Sequence, residues 1–271
     1  MTAVSFPAFI STPATSIDEV ITQLTAVVEW SKQNDSRIGY FAALYRKVTI
    51  QVKKGIADNF FDDGPRMERL DIIFANRYIH ACYQYQTGQT PTQSWVRAFN
   101  ETEHWWPIVL QHLLIGMNAH INLDLGIATA ETVPPGELPS LKGDFDKING
   151  VLVGLVGDVQ GKLAEIRPLL KLLNNALGNV ETAIINFSME KARDDAWSFA
   201  EKLFPLSEEK RQQAIIDKDE MIALFARVIS HPGYYPSLII GIIRLGERGT
   251  RVSASKFWSD EFVGVSILTV T

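Results

Sequence analysis

Apolar residues in this chain recur every three or four positions between residues that start and stop helices, and strict apolar–polar alternation is scarce. That spacing gives each segment one apolar face on a 3.6-residue period and leaves little that could pair into a sheet, so an all-α fold is expected. Ser16 followed by Glu19 makes a capping box for a helix through about Gln33. Asp35 or Ser36 opens a second helix to about Ile56. FFDDGPRMERL is a turn, and Pro65 suits the first position of a third helix ending near Gly88. Thr90 and Pro91 begin a shorter helix with Trp95, Val96 and Phe99, and Pro107 opens a long central apolar helix through about Ala128. Residues 131–140 (ETVPPGELPS) read as a loop, followed by helices over about 144–166, 180–204, 207–230 and 236–247. The tail FVGVSILTVT has the composition of a lone strand or an arm. Both sides of the loop look alike, so the expected organisation is an irregular lead over 1–15 and a single helical domain over 16–271, a bundle around the central helix.

Composition narrows the function classes. A formal charge of −5 gives no global electrostatic case for nucleic acid or an anionic membrane. The longest apolar runs, VLVGLVG and SLIIGII, fall far short of the ~20 residues a bilayer span needs. The single cysteine, Cys82, excludes an internal disulfide or a cysteine-rich zinc module and reads as a buried, inert thiol. The first residues lack the basic start and apolar core of a signal peptide, so a cytoplasmic protein acting on a small molecule, with room for homo-oligomerisation, is expected. Gly150, Gly154, Gly157 and Gly161 recur at helical spacing and are expected to let another helix approach closely, the rival reading being a flexible segment.

The segment HLLIGMNAHINLDLGIA, residues 112–128, carries the most chemistry. At about 100° per residue, His112, Gly116, His120 and Asp124 share one arc with Val109, Leu113, Met117 and Ile127. His120 and Asp124, one turn apart, are spaced to grip one metal ion, while His112, about 12 Å further back, suits a second ligand or a proton shuttle. Gly116 is expected to leave room for a metal, a water or a substrate. Gln111, Asn118 and Asn122 cluster on the opposite side and would meet water or bridge to another helix. In ERLDIIFANRYIHACYQYQ, Asp71 falls within the apolar arc of Leu70, Phe74, Ala75, Tyr78, Cys82 and Tyr85, whereas Asn76, Arg77, His80 and Gln84 fall outside it. Asp71 is therefore expected in the core and His80 at the surface, with Asp71 joining the ligand set as facing helices do in bundles. Arg193 borders the stripe Ile185, Met189, Ala192, Ala196, Ala200 and Leu203, from which it would neutralise Asp71 or Asp124 or clamp a substrate anion. Asp144, Asp146 and Asn149 are further oxygen donors, Asp144 more cheaply explained as a helix cap, and His104 beside Trp105 and Trp106 would line a pocket or pack. No GxGxxG, phosphate loop, GxSxG elbow or HExxH is present.

At GMNAHINLDL, residues 116–125, the chain resembles a bacterial family of unknown function marked by a G-x-NAHIN-x-DL signature, a likeness extending over about residues 60–200 through DIIFANRY and ARDDAW. More distantly, a His-xxx-Asp helix beside a buried Asp is similar to the zinc-dependent phospholipase C and P1 nuclease families, all-α enzymes that hydrolyse phosphoesters. That resemblance implies Asp71, His120 and Asp124 as zinc ligands, although the next histidine here comes only at His231. The leading expectation is thus a metal-dependent hydrolase of phosphoesters or related bonds. Its divalent metal, zinc ahead of iron, would be held by Asp71, His112, His120 and Asp124, with His112 and Arg193 as catalytic groups. The alternatives are a non-haem iron oxygenase and a non-catalytic helical binding protein whose buried polar groups fix helix register.

Overall fold

The computed structural model describes residues 4–134, 136–163 and 189–231, and among these the side chains of all but 110, 153–163, 189 and 190. The described residues are all-α, with no strand. The expected helix over 236–247 and the β-rich tail lie outside them, as does Ile185. In chain order the helices are α1 (Ile17–Gln33), α2 (Ile38–Ala57), α3 (Gly64–Gln86), α4 (Gln93–Glu103) and α5 (Val109–Ala119). A π-helical segment, His120–Leu125, leads into α6 (Gly126–Thr132), followed by α7 (Leu138–Leu163), α8 (Met189–Leu203) and α9 (Glu208–Ser230). None of the described helices is long and apolar enough to cross a membrane.

Local chemistry sets several ends where the residue types predict them. Ser16 Oγ accepts from the Glu19 amide at 3.2 Å, but the Glu19 carboxylate returns to Thr15 rather than to Ser16, so the box is only half closed. Asp63 caps α3 by accepting from the Arg66 amide. At its other end Gly88, at φ 76°, closes a Schellman motif: the Gln89 amide donates to the Gln84 carbonyl and the Gly88 amide to that of Tyr85.

Two departures have physical causes. The lead is not merely irregular: Ala8–Ser11 form a 3-10 turn, Ile10 and Ala14 are buried, and Asn76 of α3 clamps the Ala14 backbone amide and carbonyl. The expected loop over 131–140 is shorter, because α6 runs to Thr132 and α7 restarts at Leu138. Asp144 therefore lies inside α7 rather than capping it. Its carboxylate accepts from the Asp62 and Asp63 amides at 2.7 and 2.9 Å, binding the turn that feeds α3. At Gly150 nothing lies within 4 Å of where a Cβ would stand, so close helix packing does not explain that glycine.

The core divides in two. One part is built by α1, α2, the second half of α3, α4 and α5; the other by the start of α3, the π segment, α6, α7 and α8. The central helical run passes from one to the other, which is why it is buried on nearly every side. It is not the single α-helix that the spacing predicts, because the six residues HINLDL adopt π geometry with its i→i+5 hydrogen bonds. Close approach holds the second part together: a Cβ at Gly126 would stand 2.8 Å from the Ala196 carbonyl, and Ala192, Ala196 and Ala200 are buried along α8. The polar side of the run is buried too. Gln111 Nε2 donates to the Ile229 carbonyl at 2.8 Å and Asn118 Nδ2 to that of Ile222 at 3.0 Å, hooking the run to α9.

Asp219 of α9 does for α4 what Asp144 does for α3, accepting from the Gln93 and Ser94 amides at 2.6 and 2.9 Å. These are first-turn donors that the helix itself cannot satisfy. Asp219→Ala is expected to lower stability by about 1–2 kcal/mol, the usual cost of losing a cap. In urea unfolding the midpoint should fall while the slope stays unchanged.

Candidate functional site

The π segment places His120 and Asp124 where the two cores meet, and both are almost wholly buried, at 3% and 1% exposure. Asp124 is the better tied. Its Oδ1 accepts from Arg77 Nε at 2.8 Å and its Oδ2 from Trp95 Nε1 at 2.7 Å. Burial works to raise its pKa, but Arg77, with His120 and Trp95, outweighs burial and holds the carboxyl below its ordinary range. One carboxylate thereby links α3, α4 and the central run.

His120 is held differently. Its ring lies flat on Phe74, centroids 3.6 Å apart and planes within 8°, with Phe41, Tyr45, Tyr78 and Trp95 around it. Nδ1 lies 3.6 Å from Asp124 Oδ2, beyond hydrogen-bond reach, and neither ring nitrogen has a hydrogen-bond partner. Burial pushes its pKa down, against the opposing pull of Asp124, so the neutral imidazole is favoured. Phe74 is only partly buried and forms the cover of the imidazole on its side.

Asp71 of α3 is buried at 6% exposure, and its Oδ2 has no partner. Burial, and then the charge of Glu68, raises its pKa to about 8, so the carboxyl is protonated at neutral pH. Tyr45 ties the three groups into one neighbourhood. Its ring is 4.3 Å from that of His120, and its phenol is raised well above the ordinary value by burial and then by the charges of Asp71 and Asp124.

The buried positions expected for Asp71, His112, His120 and Asp124, and the exposed one for His80, are those found. Their convergence on one ion is not. Among the described residues no three His, Cys, Asp or Glu side chains are arranged to hold a metal. Asp124 is committed to a guanidinium and an indole, and His112, beside Tyr40 at 5.9 Å between ring centroids, lies two turns back along the run. The zinc implied by the resemblance does not fit this donor set. Gly116 leaves no room either, since a Cβ there would meet the Phe41 ring at 2.7 Å.

Arg193 is buried, but Nη2 donates to the Phe145 carbonyl at 2.5 Å and its guanidinium lies 4.3 Å from the Phe145 ring centroid. The cation that meets Asp124 is instead Arg77, which the helical wheel sets outside the apolar arc of α3. A long side chain reaches around a helix, and wheel angle does not register that reach. Cys82 is buried and unreactive, its thiol pushed up to about 12 by burial.

Elsewhere, a cavity of about 380 Å³ opens between the ends of α4 and α9. Its lining is Glu101, His104, Trp105, Trp106, Pro107, Ser230 and His231, so the His104–Trp105–Trp106 run does form a pocket wall.

Comparison with known proteins gives one match: a family of unknown function, DUF5995, over residues 17–232. No curated protein and no solved structure matches the chain.

Two outcomes follow. Gly116→Ala should destabilise by about 1–3 kcal/mol through the clash with Phe41, seen as a lower melting temperature. Asp71 holds its proton in the folded chain up to about pH 8 and loses it near ~3.9 when unfolded, so between those values its contribution to stability falls as pH rises. Asp71→Asn should flatten the decline in stability from pH 5 to 8 in denaturant titrations, whereas an unchanged slope would show that the carboxyl is ionised in the fold.

Proposed function

Because the chain belongs to DUF5995, a family of unknown function, its chemistry has to come from its own residues, and we propose an acid–base enzyme acting on a small molecule. The observation that carries this reading is His120, a neutral imidazole with both nitrogens unpartnered beside an ionised Asp124. Buried polar atoms are nearly always paired, and an unpaired cluster calls for a function or a bound molecule. Two carboxyls whose surroundings drive them in opposite directions support assigning Asp71 as proton donor and His120 as acceptor. Asp124, with Oδ2 3.6 Å from Nδ1, supplies the negative charge that stabilises the imidazolium as it forms. The π segment supports it as well, since such segments recur at functional sites.

Hydrolysis is the reaction class, with water activated by His120 and the proton for the leaving group supplied by Asp71. Phe74 must swing aside for substrate to reach the imidazole. A cytoplasmic setting agrees with one buried cysteine and no disulfide. The rival reading, a helical protein in which these groups only fix register, is favoured by the three-way tie at Asp124.

The two readings separate on turnover. Purified protein would be assayed on ester, phosphoester, amide and glycoside panels with and without a chelator. The proposal expects turnover insensitive to chelation. His120→Ala should cost about 10²–10⁴-fold, the usual share of a general base. The rate should fall above about pH 8 as Asp71 loses its proton. An active wild type matched by an equally active His120→Ala would sink it, and variants that shift only stability would establish the register-fixing role.

A further inference from the structure

The outward side of α9 is built like a face that another helix covers. Nine large apolar side chains are exposed among the described residues, and five of them, Ile216, Met221, Leu224, Phe225 and Val228, lie on this one helix. Single exposed apolar residues need no explanation, whereas a contiguous patch marks a contact surface. Met221, Leu224, Phe225 and Val228 follow an i, i+3, i+4, i+7 spacing, so they form one seam along two turns. Leu224 at 67% and Val228 at 61% exposure stand furthest out.

This seam is not the side by which α9 joins the fold. Ile222 and Ala226, on the other side of the helix, are buried. Gln111 and Asn118 hold the carbonyls of Ile229 and Ile222, and Asp219 caps α4. The helix is therefore fixed from behind, and the seam is presented on a rigid support. A surface helix needs one apolar stripe to anchor it, and α9 carries a second.

Charge beside the seam says what covers it. Glu220 and Arg227 are both exposed and lie on the same flank, two turns apart. A second α9 laid antiparallel along the seam brings each Glu220 against the partner's Arg227. A parallel copy would instead set like charges together at both positions. The antiparallel arrangement also seats Met221 on the partner's Val228 and Leu224 on the partner's Phe225, because the four apolar residues are symmetric about the point between Leu224 and Phe225. Such self-complementarity is what a two-fold interface requires. With Asp217 and Glu220 beside it, the seam does not suit an anionic membrane, which selects basic flanks.

We propose that this face is a self-association surface, through which two copies of the chain pair by their α9 seams, antiparallel about a two-fold axis near Leu224. Two turns of helix make a small interface, so the dimer is weak, with a micromolar Kd. The interface uses neither His120 nor Asp71, so it holds or fails apart from the acid–base reading.

The test is sedimentation equilibrium of the full chain from about 1 to about 500 µM, a range that brackets a micromolar dimer. Wild type should pass from monomer to dimer. Leu224→Asp should stay monomeric throughout, with an unchanged thermal melt at the lowest concentration, since this side chain is exposed in the single chain. Glu220→Arg and Arg227→Glu should each weaken the dimer about tenfold, because each sets like charges together at two symmetric places. The double variant exchanges the charges and should restore it. A wild type that is monomeric across the range would overturn the proposal. So would a dimer indifferent to Leu224→Asp, or single-variant losses that the double variant does not restore. A melt lowered by Leu224→Asp at the lowest concentration would place the seam under another part of its own chain. Flotation of wild type with phosphatidylcholine–phosphatidylglycerol vesicles, lost in Leu224→Asp, would assign it to a membrane. Either result overturns the pairing.

Discussion

One carboxylate, that of Asp124, holds the centre of this protein together. Burying a charge is unfavourable by several kcal/mol unless partners of good geometry replace water. Here the replacement comes from two different helices, a guanidinium from α3 and an indole N–H from α4. Each bond therefore fixes the position of one helix against the central run, and neither helix can slide without orphaning a charge. Phe41 against Gly116 and Phe74 against His120 then fill the space around this anchor with aromatic rings. His120 is left without a hydrogen-bond partner inside that aromatic shell, as are the Tyr45 and Tyr78 hydroxyls.

The same device recurs at the periphery with less at stake. Asp144 and Asp219 each reach from one helix to the unpaired amides at the start of another, and Gln111 and Asn118 reach from the central run to carbonyls of α9. Apolar burial is non-directional and would tolerate small shifts along helix axes. Directional bonds between a side chain of one helix and the backbone of the next remove that freedom. Buried polarity in this fold is thus concentrated where helices meet, and the cluster around Asp124 is one more instance of it.

Periodicity was enough to find the helices, because a 3.6-residue apolar repeat and residues such as Ser16, Asp63 and Gly88 act within one or two turns. It also found which of two tempting residues on α3 goes inside, since Asp71 lies in the apolar arc and His80 does not. It failed at Arg77 and Asn76, which the wheel excludes from the core yet which make long-range bonds to Asp124 and to the Ala14 backbone. It failed too at His120–Leu125, where a wheel at 100° per residue no longer applies because the turn is wider.

By itself, then, the sequence determined the all-α class, the helix ends at Ser16, Asp63 and Gly88, and the burial of Asp71, His112, His120 and Asp124. All of these follow from interactions local in the chain. Only the tertiary structure decided what those groups face. Asp124 meets Arg77 and Trp95, 47 and 29 residues away, rather than a shared ion, while Arg193 turns to Phe145 and Phe41 takes the space beside Gly116. The physical reason is that burial depends on a residue's place on its own helix, whereas a bonding partner depends on how separate helices dock, which no local spacing encodes.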